Sequence, residues 1–307
     1  PAHHEVRDAP AHPSPSVGGA HLMREELAVV ADSTLSRTLT GIAAGVPYLA
    51  IPPPDPAPTV PIVVALHAFE PPRSEAALAG TLPLLGLPAW RFYLGLPLFG
   101  HRLPKGGVSE VNRLGREDYL LQLYSPVVRQ AAAELPLAVA ELRRSFSRAD
   151  APLGLMGVGA GGAAVFLALI ESDLPVGAVG VVNPVIDPTH VLSARERHLG
   201  VDYTWDDQSR DAAAGLDFTE RADELASRGP DTPVLIVNGE HDEIIRPSHG
   251  RLLHDALSPH HQPHTLRHVV IPDLAHTLGP EPGSTLDRPP PGRSSPTAPS
   301  RNGSTPT

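Results

Sequence analysis

Hydrophobic and polar positions along the chain fall into two alternating patterns. Short apolar runs closed by Gly, Pro or Asn read as buried strands, and they predict strands at 26–31, 48–51, 61–66, 91–96, 153–156, 176–182, 234–237 and 269–271. Between them, apolar spacing of three and four predicts helices at 74–84, across 117–146 with interruptions at Pro126 and Pro136, at 160–171 and at 248–257. Alternation of this kind specifies an α/β fold: a mostly parallel sheet of about eight strands with helices on both faces. Residues 187–230 are polar, charged and weakly helical, and they read as a small cap-like insertion over one end of the sheet. The expected domain therefore runs from 23 to 278. Residues 1–22, rich in Pro, Ala and His, and 279–307, rich in Pro, Ser and Thr, lack the apolar periodicity that repays ordering entropy and are expected to be disordered. For the same reason no final packed helix is expected after His276. The chain opens on Pro1 and not on methionine, which leaves room for residues upstream.

The most informative stretch is Gly157-Val158-Gly159-Ala160-Gly161-Gly162, where a strand turns directly into a helix. Three further stretches are rich in groups that carry chemistry. Val63-Val64-Ala65-Leu66-His67-Ala68-Phe69 ends a strand, Val234-Leu235-Ile236-Val237-Asn238-Gly239-Glu240-His241-Asp242-Glu243 ends another, and Ile271-Pro272-Asp273-Leu274-Ala275-His276 follows the last.

Taken in chain order, the four stretches resemble the α/β-hydrolase superfamily, closest in layout to compact serine hydrolases of the dienelactone-hydrolase and prolyl-oligopeptidase-like kind. The resemblance implies an elbow at Gly159, with glycine where Gly-x-Ser-x-Gly carries the nucleophilic serine. Glycine adopts the strained elbow conformation readily but has no oxygen to attack with. The resemblance further implies Asp242 as the acid that orients a histidine, His276 as the base, and the backbone amides of Phe69 and Ala160 as the oxyanion hole. Ala68 stands where the family usually has glycine. Asp187, just after the strand ending at Asn183, is an alternative acid, and His67 reads as a structural or pocket-wall residue. Trp205, Asp206 and Asp207 in the insertion suit either a substrate contact or a capping turn.

The same glycines also satisfy Gly-x-Gly-x-x-Gly, the loop that lets a dinucleotide pyrophosphate approach a helix N-terminus. Against that reading, the next strand ends at Asn183 where a ribose-binding carboxylate belongs, and the motif lies mid-chain. Nicotinamide and flavin dinucleotides are therefore not expected to bind, and no cofactor is expected.

Composition narrows the remaining chemistry. The chain has 24 basic and 34 acidic residues, a net charge of -10, which opposes attraction to nucleic acid or an anionic membrane surface. It has no cysteine, hence no disulfide, thiolate nucleophile or Cys-ligated zinc, and a cytoplasmic location is expected. The histidines 254, 260, 261, 264 and 268 lie in a Pro-containing stretch without ligand spacing, so no metal site is expected there. No run approaches the roughly 20 apolar residues of a membrane helix.

Three functions remain open. One is a hydrolase-fold protein that has lost most of its hydrolysis but still holds a small ester or acyl ligand. The second is an enzyme using the His276–Asp242 dyad as a general base without covalent catalysis. The third is a dinucleotide-binding oxidoreductase using the loop 157–162. Oligomeric state has no signature in the sequence.

Overall fold

A computed structural model describes residues 38–55, 59–146, 152–227 and 232–279. The strand expected at 26–31, the terminal segment 1–22 and all but the first residue of the segment 279–307 lie outside the described residues, and so does all but 277–279 of the stretch in which no final helix was expected.

Eight strands form one sheet in the order β1-β2-β4-β3-β5-β6-β7-β8. They are β1 (Leu39–Ala43), β2 (Val46–Ile51), β3 (Ile62–Leu66), β4 (Trp90–Leu94), β5 (Leu153–Val158), β6 (Ala178–Val182), β7 (Val234–His241) and β8 (Leu266–Ala275). Strand β1 pairs antiparallel with β2, and β2 with β4, while every later pairing is parallel. The β1–β2 hairpin turns through Ala44 and Gly45, both at positive φ, the geometry that matches the twist of paired strands. The sequence pattern missed β1, a short strand with an exposed and weakly apolar face.

The helices are α1 (Glu75–Thr81), α2 (Gly107–Glu117), α3 (Ser125–Phe146), α4 (Ala160–Glu171), α5 (Pro188–Leu199), α6 (Asp207–Ala214), α7 (Ala222–Ser227) and α8 (Pro247–Leu257), with a π-helical turn at Tyr119–Tyr124 before α3. Two helical expectations need correction. Pro136 does not interrupt α3, because Val127, Val128, Ala131, Ala132, Leu135, Ala138, Val139 and Leu142 bury one continuous stripe and outweigh the lost backbone bond. Residues 187–227 are also more helical than their polarity suggested, since Asp187 and Asp206 cap the starts of α5 and α6.

Helix α4 is apolar on nearly every face and buried accordingly, lying between the sheet and α3. Close approach of this helix to the sheet explains its glycines. A Cβ on Gly161 would lie 2.5 Å from the carbonyl oxygens of Leu66 and His67, and one on Gly157 would lie 2.5 Å from the backbone of Gly161 and Gly162. The main core, including Phe92, Phe166, Leu135 and Phe218, packs with α3 and α4, while a smaller cluster including Ile51, Leu78, Tyr93 and Val158 lies with α1. The carboxyl ends of β3, β5, β6 and β7 consequently point toward one rim of the sheet, where open α/β sheets place their sites.

Candidate functional site

At the turn between β5 and α4, Gly159 has φ 53 and ψ -119, a conformation that L side chains rarely adopt. Bonds to the neighbouring strand end and loop brace it: its N–H donates to the Val182 carbonyl at 3.1 Å, and its own carbonyl accepts from Val185 N–H at 3.1 Å as well as from Gly162 and Ala163 in the helix. The following residue, Ala160, opens the helix, so its N–H has no acceptor within the helix and is available at the rim. The space beside Gly159 is already partly filled. A Cβ placed there would lie 2.9 Å from the Ala68 methyl and 3.9 Å from Glu70 Oε2.

The loop after β3 carries His67, Ala68, Phe69 and Glu70. His67 is fully buried, accepts from the Leu96 N–H at Nε2 (3.1 Å) and bonds the Ala68 carbonyl through Nδ1 (2.7 Å). Burial lowers its pKa to about 4, with the backbone bond to Ala68 and the charge of Glu75 opposing less strongly, so it is neutral and ties the β3 and β4 loops together. Phe69 stacks on Phe99 at 4.6 Å, which orients the loop that presents its amide.

Opposite this loop stand Asp242 and His276. The Asp242 side chain is completely buried; Oδ1 accepts from the N–H groups of Ile244 (2.9 Å) and Ile245 (2.7 Å), leaving Oδ2 to meet His276 Nδ1 at 2.8 Å. Asp187 caps α5 through the Thr189 N–H at 2.8 Å and has His190 as its histidine neighbour at 3.9 Å. Asp206 likewise caps α6 in a reciprocal pair with Ser209, and Trp205 packs edge-on to Tyr203 at 4.9 Å.

Two residues of this site escaped sequence reasoning. Asn183, buried at the end of β6 with φ 43, donates to the carbonyls of Ala275 (2.9 Å) and His276 (3.2 Å) and accepts from Gly239 N–H at 2.7 Å. It thereby holds the end of β7 and the His276 loop in one position. Its only sequence signal is an asparagine that closes an apolar strand. Glu70 is the second: its Oε2 lies 3.5 Å from His276 Nε2, on the side of the ring away from Asp242. In sequence it is a loop glutamate before two prolines, with nothing to connect it to His276.

His276 is therefore held between two carboxylates. Burial alone would disfavour its charge, but the bonds to Asp242 and Glu70 outweigh that and push its pKa up to about 10. Glu70 is correspondingly held below the usual carboxylate range: burial opposes, while His276, and more weakly Arg195, favour the ionised form. Two cavities of about 520 and 750 Å³ open beside this ion triad and share Glu70, Tyr119 and Arg195 in their walls.

Four histidines of the 254–268 stretch are occupied locally. His254 faces Asp255 (3.1 Å), His260 faces Asp223 (2.8 Å), His261 bonds the Leu257 carbonyl (3.2 Å) and His268 bonds Asn238 (3.1 Å). Among the described residues no group of three or more His, Cys, Asp or Glu side chains is placed to hold a metal ion, and no helix is long and apolar enough to cross a membrane.

Comparison with known proteins agrees with this architecture. The profile of the Prolyl oligopeptidase family matches residues 136–285. No curated protein sequence matches the chain. Among solved structures, TT1662 from Thermus thermophilus superposes with a TM-score of 0.60 at 21% identity, covering 79% of this chain and 91% of that one. A puromycin-hydrolyzing peptidase from Mycobacterium tuberculosis gives 0.58 at 18% identity, covering 78% of this chain and 36% of the peptidase. The acylaminoacyl peptidase of Pyrococcus horikoshii gives 0.53 at 14% identity, covering 78% and 37%. The chain thus spans little more than a third of those two peptidases. It has the α/β-hydrolase fold, and the oxidoreductase reading is not favoured: Gly157, Gly161 and Gly162 are used in helix-to-strand packing.

Proposed function

We propose that this hydrolase-fold protein, related to the prolyl oligopeptidase and esterase group, holds a small ester or acyl ligand in its pocket with lost or strongly reduced covalent hydrolysis. The observation that carries this reading is the placement of Glu70. In a serine hydrolase the histidine Nε2 faces the nucleophilic hydroxyl and removes its proton. Here Nε2 faces a carboxylate, which supports a protonated ring at neutral pH. An imidazolium has no lone pair with which to take a proton, so the same observation argues against the His276–Asp242 dyad as a general base. The amides of Phe69 and Ala160 remain as candidate donors to a ligand carbonyl, since backbone groups survive side-chain loss.

Three residues around one point support each other. Gly159 lacks the hydroxyl, Ala68 fills the space a serine Cβ needs, and Glu70 engages the base. Restoration by Gly159→Ser alone is therefore expected to raise hydrolysis of a nitrophenyl ester less than about tenfold, whereas Ala68→Gly/Glu70→Gln/Gly159→Ser raises it by about 10³, because members of such a triad act as a unit. His276→Ala added to the triple variant should return the rate to background. Robust ester turnover by the unmodified chain, indifferent to His276→Ala, overturns the reading.

A further inference from the structure

The smaller of the two cavities has a charge opposite to that of the whole chain. Against a net charge of -10, its wall holds Arg73, Arg116 and Arg195, with Glu70 as its one carboxylate. The rest of the lining is largely apolar, with Phe69, Phe99, Leu103, Val111 and Leu123 among it, and a volume of about 520 Å³ is that of a site for a small organic ligand.

Arg195 is the group that gives this wall a fixed geometry. It projects from α5, donates from Nη2 to the Gly115 carbonyl at 2.8 Å, and lies with Cζ 4.3 Å above the Tyr119 ring. The Tyr119 ring beneath it holds the guanidinium by a cation–π contact, and the bond to Gly115 uses one of five N–H donors. A planar guanidinium set in a low-dielectric wall matches a carboxylate in shape and charge. A neutral ester offers one carbonyl acceptor and forms no charge-assisted pair with Arg195.

We infer that this cavity binds an amphipathic carboxylate, an aliphatic or arylalkyl acid whose head pairs with Arg195 and whose body lies against Phe69, Phe99 and Leu123. The inference rests on the reading that the pocket holds a ligand without covalent turnover, and it names the ligand as an acid and not its ester. Arg116 supplements the field that draws the anion in.

Calorimetric titration with phenylbutyrate, its methyl ester and inorganic phosphate tests it. The acid should bind saturably and at least tenfold tighter than the ester, as a charge-assisted bond implies. Arg195→Gln should weaken the acid by about tenfold or more and leave the ester unchanged, while Arg195→Lys keeps part of the preference; thermal melting identifies either variant if it fails to fold. Equal binding of acid and ester, indifference of the acid to both Arg195 variants, or displacement of the acid by equimolar phosphate overturns the inference. The outcomes are separable from those for hydrolysis. Acid binding by a chain that also turns over esters leaves this site standing and removes the noncovalent reading, whereas absent acid binding with background turnover does the reverse.

Discussion

The arm of the site that carries Asp242 and His276 and the arm that carries Gly159 and Ala68 are built in different ways. The first is held by buried side-chain bonds: Asn183 clasps Gly239 and the His276 loop, and two backbone amides aim Asp242. The second is a backbone turn, with a positive φ and a bond to Val182, and it packs the Ala68 methyl into the space a side chain at 159 would enter. One arm is thus fixed by side-chain bonds and the other by backbone geometry. His276 of the polar arm meets Glu70 at 3.5 Å on the side of its ring away from Asp242.

If the first arm depends on Asn183 as strongly as its bonds indicate, Asn183→Ala should destabilise the protein by about 3 to 4 kcal/mol, since it strands a buried N–H and two carbonyls and puts alanine at positive φ. Urea denaturation measures this, and hydrogen exchange should rise in the His276 loop; a loss below 1 kcal/mol would show that the arm is held elsewhere.

The second arm has its own test in Gly159→Ser, which combines a strained backbone conformation with the 2.9 Å approach to Ala68. A cost of about 2 to 3 kcal/mol is expected, with Ala68→Gly recovering part of it in a double-mutant cycle. Additive effects would dissolve the claimed link between these two positions.

Protonation of His276 distinguishes the arms in solution. Its folded pKa is raised from 6.5 to about 10, so its contribution to stability is complete below about pH 6.5 and lost as pH rises toward 10. The loss should be on the order of 2 kcal/mol, discounted because Glu70 is about a third exposed and solvent screens it. Glu70 works in the opposite sense: with its folded pKa lowered, its contribution is lost as pH falls through the carboxylate range. NMR titration should find His276 still protonated at pH 8, and His276→Gln should flatten the alkaline limb. An ordinary midpoint near 6.5 would break the comparison at its centre.

The smallest effect belongs to Glu70→Gln, which should change stability by less than about 1 kcal/mol while moving the His276 midpoint downward. A midpoint that stays where it was would assign the whole shift to Asp242.

Much of the framework was legible from local pattern. Apolar runs ended by Gly, Pro or Asn marked seven of the eight observed strands, because a strand buried on both faces has few polar alternatives. Helix α4 was readable to the residue, since Gly159 and Ser172 bound an unbroken apolar stretch. Helix α2 was not anticipated: it is a polar surface helix whose start, Gly106 in the left-handed region, lacks any side-chain cap.

For the site, the sequence by itself determined that a glycine stands at the elbow, that Asp242 and His276 follow it in order, and that a helix N-terminus opens at Ala160. These are properties of short segments, where turn chemistry and periodicity act over a few residues. Only the tertiary structure decided that Ala68 meets the space beside Gly159, that Asn183 clasps the His276 loop, and that Glu70 faces the free nitrogen of His276. Each of those contacts joins segments far apart in the chain. Their ångström-level spacing is set by how α4 packs against β3 and how β6, β7 and β8 register, and no local pattern of residues encodes that distance.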